Sequence, residues 1–366
     1  MPDDLAPVRH LLEGAIARKV FPAAVIEIGS SSRLLWTHAA GTLTYDPDAS
    51  PARDDTIFDL ASLTKVIATA SLMMRAVDDG RLDLESPLAE HFAEWRGADR
   101  AMVTVRDLLT HSAGLTAYLP FFRDHTGRLE FQRAICTLPL EYEPRTQSIY
   151  SDLGFILLGF LLEDGDSARH AFEGGAGRSD PSATLSAQFN RFAAFLTSDP
   201  LTFNPPREWR SITAPTEVDA WRGRLLIGDV HDENAWALGG AAGHAGLFGT
   251  AGAVGAFARA ALRTIAGEPL LASAPTMREF ITRCNVPNSS RALGWDTMVP
   301  TSSCGTLLSR SAIGHTGFTG TSLWIDWERD LYVVLLTNRV HPTRENDGIR
   351  EVRRAVHDAV VGSLGP

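Results

Sequence analysis

Strand-like segments at the two ends of the chain constrain the fold most. Five segments have the composition and length of strands: Ala23–Ile28, Leu34–Ala39, Leu307–Ile313, Ser322–Trp327 and Leu331–Leu336. Between them the apolar spacing is that of helices, beginning with Ser62–Val77, and helices are also predicted over 5–19 and Ile349–Val361. This order predicts an α/β (α+β) fold in which terminal strands share one layer and a mainly helical segment interrupts it.

The length of 366 residues corresponds to about two structural units at roughly 150 residues each. We expect a discontinuous sheet domain from 1–75 and 280–366, a helical insert from 76–279, and an active-site cleft between them. The polar, glycine-bearing segment 164–190 is predicted to be a long loop or insertion.

Charge and composition limit the partners and the compartment. The net charge of −10 argues against nucleic acids and anionic membranes, which require clustered basic residues. The uncharged segment 235–258 is rich in glycine and is predicted to be turn-rich, not membrane-spanning. Acidic residues within 1–20 are unlike a signal peptide, so we expect a cytoplasmic protein. A small-molecule substrate and no cofactor are expected, and the oligomeric state stays open.

The sharpest chemical signal is Ser62-Leu63-Thr64-Lys65, in a chain with only two lysines. Positions i and i+3 lie on one helix face, which puts the Ser62 hydroxyl within hydrogen-bond reach of Lys65. A serine becomes nucleophilic when a neighbouring base takes its proton. The alternative is a helix-capping serine beside a surface lysine.

Two further elements follow along the chain: Tyr150-Ser151-Asp152, and the glycine-rich run from Gly314 through His315-Thr316-Gly317-Phe318 to Gly320. In this order the three elements resemble the Ser-x-x-Lys, Tyr-x-Asn and Lys-Thr-Gly motifs of penicillin-recognising serine hydrolases of the class C β-lactamase type. That family includes D,D-peptidases and esterases. The resemblance covers nearly the whole chain except about 165–200.

The resemblance implies an antiparallel sheet of β-lactamase/D,D-peptidase type and a set of residue roles. Ser62 would be the acylated nucleophile, and Lys65 with Tyr150 would form the proton-transfer pair. The residues Asp152, His315, Thr316, Gly317 and Phe318 would bind the substrate. The backbone N–H groups of Ser62 and Phe318 would form the oxyanion hole.

Two positions depart from the family pattern. Asp152 replaces an asparagine, and a carboxylate near Lys65 favours the charged ammonium and leaves Tyr150 as a candidate base. Which of the two is the base stays open. His315 replaces a lysine and is mostly neutral at pH 7 if its pKa is about 6.5. Both changes favour an ester, amide or D-amino-acid peptide over acidic substrates.

Other polar residues give weaker indications of a role in function. His231, Asp232 and His244 lack the regular spacing of metal ligands, so we expect hydrogen-bonding roles and no metal site. His111 is predicted to be a packed, satisfied polar group. Thr104 and Thr250 are predicted to cap the helices that follow them.

The leading hypothesis is a serine hydrolase that acts through an acyl-enzyme on Ser62. The alternative with the same fold is a D,D-carboxypeptidase or weak β-lactamase acting on cell-wall fragments. A rival of another class is a non-catalytic binding protein that retains the cleft, with Asp152 and His315 as signs of decay.

Overall fold

A six-stranded antiparallel sheet joins the two ends of the chain. The computed structural model describes residues 5–172 and 181–365. The strands of this sheet run in the order β2-β1-β11-β10-β9-β8, with bounds β1 Ala23–Gly29, β2 Leu34–Gly41, β8 Asp296–Thr297, β9 Ile313–Thr316, β10 Ser322–Asp326 and β11 Leu331–Thr337. Because β1 pairs with β11, from Ala24 opposite Thr337 to Gly29 opposite Tyr332, the predicted sheet of N- and C-terminal strands is confirmed.

Both faces of the central strands are buried, and alternate residues serve different cores. On β11, Val333 and Leu335 pack with the terminal helices α1 (Ala6–Ala17) and α11 (Ile349–Leu364). Val334 and Leu336 point the other way, into the larger core. This period-two alternation places the terminal helices on one face and the rest of the chain on the other.

The middle of the chain is mainly helical, as predicted. Its helices are α2 Ser71–Asp78, α3 Leu88–His91, α4 Val105–Leu109, α5 Gly127–Thr137, α6 Asp152–Phe172, α7 Leu185–Leu196, α8 Glu233–Ala237, α9 Ala251–Ile265 and α10 Ala274–Ile281. Short strands form two small sheets: β3 Phe58–Asp59, β7 Leu247–Gly249 and β4 Leu201–Phe203 in one, and β5 Val218–Asp219 with β6 Arg224–Leu225 in the other. The predicted division into two domains stays a prediction.

Local capping follows the sequence closely. Thr104 and Asp107 form a reciprocal capping box at the start of α4. The Thr250 side chain accepts a hydrogen bond from the Ala253 N–H at the start of α9. Both predicted caps are therefore confirmed.

The predicted strand Leu307–Ile313 is wrong, because only Ile313 belongs to β9. Side chains satisfy the preceding N–H groups in place of a neighbouring strand. The Asp358 carboxylate accepts from Leu307 at 3.0 Å, and Asp326 accepts from Ser309 at 2.7 Å. With those donors already bonded, no ladder forms there.

A long loop or an insertion was predicted over 164–190, and the loop is largely wrong in the described part of this segment. Helix α6 continues to Phe172, and a 3₁₀ turn at Pro181–Ala183 leads into α7. Arg128 on α5 forms an ion pair with Glu163, and Thr184 caps α7, so helices occupy most of this region. Residues 173–180 lie outside the described residues.

The predicted helix from Ser62 is present but begins differently. Residues Lys65–Ala70 form a π-helical turn that passes into α2. At the end of this turn, the hydroxyl of Ser71, the first residue of α2, donates to the Val66 carbonyl at 2.9 Å. Such wide turns are frequent at functional sites.

No helix in residues 5–172 and 181–365 is both long and apolar enough to cross a bilayer.

A close backbone approach places the His244 carbonyl beneath this turn. A Cβ on Gly243 would overlap the Phe155 carbonyl oxygen and lie 2.9 Å from the Gly159 nitrogen on α6. The Gly243 carbonyl accepts a 2.7 Å hydrogen bond from the Thr69 hydroxyl. Only glycine allows this contact, which fixes the chain at His244 against the π-helical turn.

Candidate active site

Ser62 lies in a tight turn directly after β3. The preceding Ala61 has φ = 47°, a left-handed conformation that is costly for a residue with a Cβ. The Ala61 N–H donates to the Asp59 carboxylate at 2.8 Å, whose other oxygen accepts from the His231 N–H at 2.7 Å. Buried Asp59 thus holds the strained turn that presents Ser62.

The Lys65 side chain lies fully buried beneath Ser62 and uses all three of its donors. Its Nζ donates to Ser62 Oγ at 3.1 Å, to Asp152 Oδ1 at 2.7 Å and to the His244 carbonyl at 3.1 Å. The contact between Ser62 and Lys65 that the sequence predicts is therefore present. An ammonium has three donors, so this geometry fits the charged lysine.

Electrostatics favour the same protonation state. Burial lowers the pKa of Lys65, but the Asp152 carboxylate and Tyr150 raise it by more, so the net pKa lies above the ordinary lysine value. Lys65 is therefore an ammonium at neutral pH. The carboxylate of Asp152, not a free amine, is the basic group of this ion pair.

Tyr150 packs its ring against Lys65, with 4.8 Å from Nζ to the ring centroid. Its hydroxyl is buried and has no hydrogen-bond partner among the described residues. Burial raises the pKa of Tyr150 by more than nearby Lys65 lowers it, so the phenol is neutral at rest. A neutral phenol is a proton donor, and it must first lose its proton before it can act as a base.

Two histidines flank the Tyr150 ring, with centroids 4.7 Å away for His111 and 5.7 Å for His315. The His315 Nδ1 donates to the Thr316 carbonyl at 2.9 Å. Burial, then Arg291 and Lys65, lower the pKa values of both imidazoles well below 6.5. Both rings are therefore neutral at pH 7, as expected for His315, although the pKa of His315 lies below the unperturbed value on which that expectation was based.

His111 also differs from the prediction, because it is only half satisfied. Its Nδ1 accepts from the Ser151 N–H at 3.0 Å. Its Nε2 is buried without a partner in the described part of the chain. The residue packs as expected, but it does so against the Tyr150 ring.

The turn after β9 is tied to the segment that carries Ser62. The Thr319 hydroxyl donates to the Asp59 carbonyl at 2.7 Å, and the Thr321 hydroxyl donates to Leu60 at 3.0 Å. A Cβ on Gly317 would lie 2.6 Å from the Leu60 carbonyl oxygen. These contacts fix the distance between Ser62 and Phe318.

Ser62 and Phe318 both line the cleft. Neither backbone N–H donates to an acceptor within residues 5–172 and 181–365. Two free N–H groups on opposite sides of one opening match the requirement for binding a developing oxyanion.

The cleft has a volume of ≈ 610 Å³, and Lys65 is buried beneath it. It is lined by most of the predicted site residues: Ser62, Tyr150, Asp152, His315, Thr316, Gly317 and Phe318. Arg291 also lines it, with its guanidinium 5.0 Å from the Tyr150 ring centroid. No carboxylate of the described residues forms an ion pair with Arg291. A cation is therefore available in the cleft, although the third motif lacks one.

The residues His231, Asp232 and His244 have protein partners. His231 Nε2 lies 2.9 Å from Glu217, and His244 Nε2 lies 2.8 Å from Asp232, which also caps α8. In the described ranges, no group of three or more His, Cys, Asp or Glu side chains is arranged to hold a metal ion. The predicted hydrogen-bonding roles are confirmed.

Sequence reasoning missed Asp59, Arg291 and the contact between His111 and Tyr150. Asp59 lies three residues before Ser62, so a search for carboxylates next to the nucleophile would have found it. Arg291 belongs to a polar loop with no motif. Its approach to Tyr150 follows from β8 pairing with β9, which the sequence did not predict.

Three comparisons place the chain among known proteins. It is 29% identical to a putative D-alanyl-D-alanine carboxypeptidase of Salmonella gallinarum, over 91% of this chain and 83% of that one. EstCE1, a hydrolase with promiscuous acyltransferase activity, shares the fold with a TM-score of 0.74 and 20% identity, over 97% of this chain and 98% of that one. A penicillin-binding protein homologue from Caulobacter crescentus has a TM-score of 0.71 at 19% identity, with coverage of 98% of both chains.

The Beta-lactamase family model matches residues 8–173 and 182–358. That match includes all three motif regions and both ends of the central sheet. The chain belongs to the Beta-lactamase family and is a hydrolase.

Proposed function

We propose that this protein is a serine hydrolase that forms an acyl-enzyme on Ser62 with small esters, amides or D-amino-acid peptides. The observation that carries the proposal is the buried Lys65 ammonium, which bridges Ser62 Oγ and the Asp152 carboxylate. If Ser62 only capped a helix and Lys65 were a surface lysine, nothing would require the cation to be fully buried, because burying a charge is costly. The bridge gives the Ser62 proton a path to a base.

In acylation, Lys65 first passes a proton along its hydrogen bond to Asp152, and the free amine then takes the Ser62 proton as Ser62 Oγ attacks the substrate carbonyl. The lysine is an ammonium again after this relay, and Asp152 is a carboxylic acid. The negative charge moves from Asp152 to the tetrahedral oxyanion. The N–H groups of Ser62 and Phe318 stabilise that oxyanion, in the way preorganised donors stabilise charge that develops in a transition state.

Collapse of the intermediate requires a proton for the leaving group. The neutral Tyr150 hydroxyl supplies it, because this group is buried close to Ser62 and Lys65 and makes no hydrogen bond of standard geometry within the described part of the chain. The proton held by Asp152 then returns through Lys65 to Tyr150. Hydrolysis of the ester repeats these transfers with water in place of the serine hydroxyl.

Arg291 favours a second candidate function, a D,D-carboxypeptidase. The missing lysine in the third motif argues for neutral substrates. Arg291 supplies a cation on the cleft wall at another position, and a guanidinium binds a carboxylate with two parallel hydrogen bonds. A peptide that ends in a free carboxylate then fits the cleft.

The nucleophile is tested by labelling. Wild-type protein treated with a fluorophosphonate should gain one adduct by intact mass, and peptide mapping should place it on Ser62. Ser62→Ala should lose the adduct and p-nitrophenyl ester turnover without a change in Tm. An adduct on another serine contradicts the assignment, and complete absence of labelling and turnover supports the non-catalytic rival.

The proton path is tested by Asp152→Asn. This isosteric change removes the final proton acceptor, so kcat/KM for an ester at pH 7 should fall by about 10²-fold or more. The matched change Asp330→Asn, in an exposed turn far from Ser62, should leave it unchanged. An equal or faster Asp152→Asn enzyme would mean that neutral Lys65 is the base.

The substrate charge is tested with an acylated D-alanyl-D-alanine peptide and its C-terminal amide. If Arg291 binds the carboxylate, Arg291→Gln should lower kcat/KM about tenfold for the acid and leave the amide within about twofold. Any effect of the substitution on Tyr150 acts on both substrates alike, so it cancels when the two kcat/KM values are divided. If the ratio of kcat/KM for the acid to kcat/KM for the amide does not change, Arg291 does not bind a substrate carboxylate, and neutral esters and amides remain the proposed substrates.

A further inference from the structure

Arg353 is a buried cation without a carboxylate partner. It lies on α11 among the core-facing residues Val352, Val356 and Val360, and its exposed fraction is only 7%. It forms no ion pair with any carboxylate in the part of the chain that the structure describes. Burying an unpaired charge destabilises a fold by several kcal/mol, so this arginine needs an explanation other than stability.

The guanidinium donates to main-chain carbonyls beside the cleft. Arg353 Nη2 lies 2.7 Å from the Gly317 oxygen and 2.7 Å from the Thr321 oxygen. Burial, then nearby Arg339 and Arg350, lower the pKa of Arg353 to about 9. The surrounding residues therefore destabilise the positive charge, and the carbonyl oxygens are its hydrogen-bonded ligands.

The Gly317 carbonyl and the Phe318 N–H are two ends of the same planar peptide group. A charged donor on the oxygen draws electron density from the nitrogen, which makes the N–H a stronger donor. The Gly320 N–H also donates to the Gly317 oxygen at 3.1 Å. Arg339 Nε donates to the Phe318 carbonyl at 2.7 Å, so the peptide group that follows is held as well.

We propose that Arg353 is a positioning residue for the oxyanion hole: its guanidinium orients and polarises the Gly317–Phe318 peptide so that the Phe318 N–H binds the oxyanion strongly. This inference rests on the proposed acyl-enzyme at Ser62. It assigns a catalytic effect to a residue of the terminal helix that borders the cleft and acts through the Gly317–Phe318 peptide. It also explains why a charged residue occupies the apolar face of α11.

The test uses Arg353→Met, which removes the donor and the charge, and Arg353→Gln, which keeps an uncharged donor. Arg354→Met is the matched control, because Arg354 lies on the same helix and donates to two other main-chain carbonyls, of Ser302 and Pro300, at 3.1 Å each. Isotope-edited infrared spectroscopy of a trapped acyl-enzyme gives the ester carbonyl stretch, which falls as the oxyanion-hole hydrogen bonds strengthen.

The carbonyl stretch should rise from wild type through Arg353→Gln to Arg353→Met. The acylation rate should fall at least about tenfold in Arg353→Met, which is less than the 10²–10³ seen when an oxyanion donor is removed, with KM little changed. Arg354→Met should match wild type in both measurements. Circular dichroism shows which variants fold, and Arg353→Gln decides the result if Arg353→Met does not fold.

A folded variant with the wild-type stretch overturns the inference, even if it is slower, because Arg353 would then act only through stability. Failure of the proposed function has a different signature. In that case the wild-type protein forms no acyl-enzyme on Ser62, and no carbonyl band is seen in any variant.

Discussion

The ion pair between Lys65 and Asp152 organises the active site. A fully buried ammonium is stable only if its charge and all its donors are matched, and the structure matches them with three elements. The turn at Ser62, the start of α6 at Asp152 and the carbonyl of His244 converge on one nitrogen. These elements come from distant parts of the sequence, and a change at any of them alters the hydrogen bonds of Lys65.

The sheet supplies the other half of the site. Pairing of β9 with β10 fixes His315 and Thr316 on the cleft wall, and the turn that follows carries the Phe318 N–H. Hydroxyls of Thr319 and Thr321 bind this turn to the chain just before Ser62. The Ser62 side chain and the two candidate oxyanion donors are therefore held in fixed relative positions, which is the preorganisation that the proposed stabilisation of a developing charge requires.

Local patterns in the sequence predicted the parts of the molecule that depend on local interactions. Helix spacing placed Ser62 beside Lys65, and the strands at both ends formed one sheet. The strand predicted at Leu307–Ile313 failed because carboxylates distant in sequence bind its N–H groups. The lowered pKa of His315 and the position of Arg291 also depend on contacts between distant parts of the chain, so local sequence patterns did not predict them. An arginine within the apolar stripe of α11 was the one visible sign of Arg353.

The charge state of Lys65, an ammonium held by Asp152, can be measured directly. Because the chain has only two lysines, protein labelled with ¹³C at lysine Cε gives two NMR signals, and a Lys19→Arg variant identifies the one from Lys65. The Lys65 signal should keep its charged-state shift until the pH rises above the ordinary lysine pKa of about 10.4. In Asp152→Asn the titration should move to lower pH, because the Asp152 carboxylate no longer opposes the effect of burial on the Lys65 pKa. A wild-type Lys65 that loses its proton near neutral pH would show that Asp152 does not hold it as an ammonium.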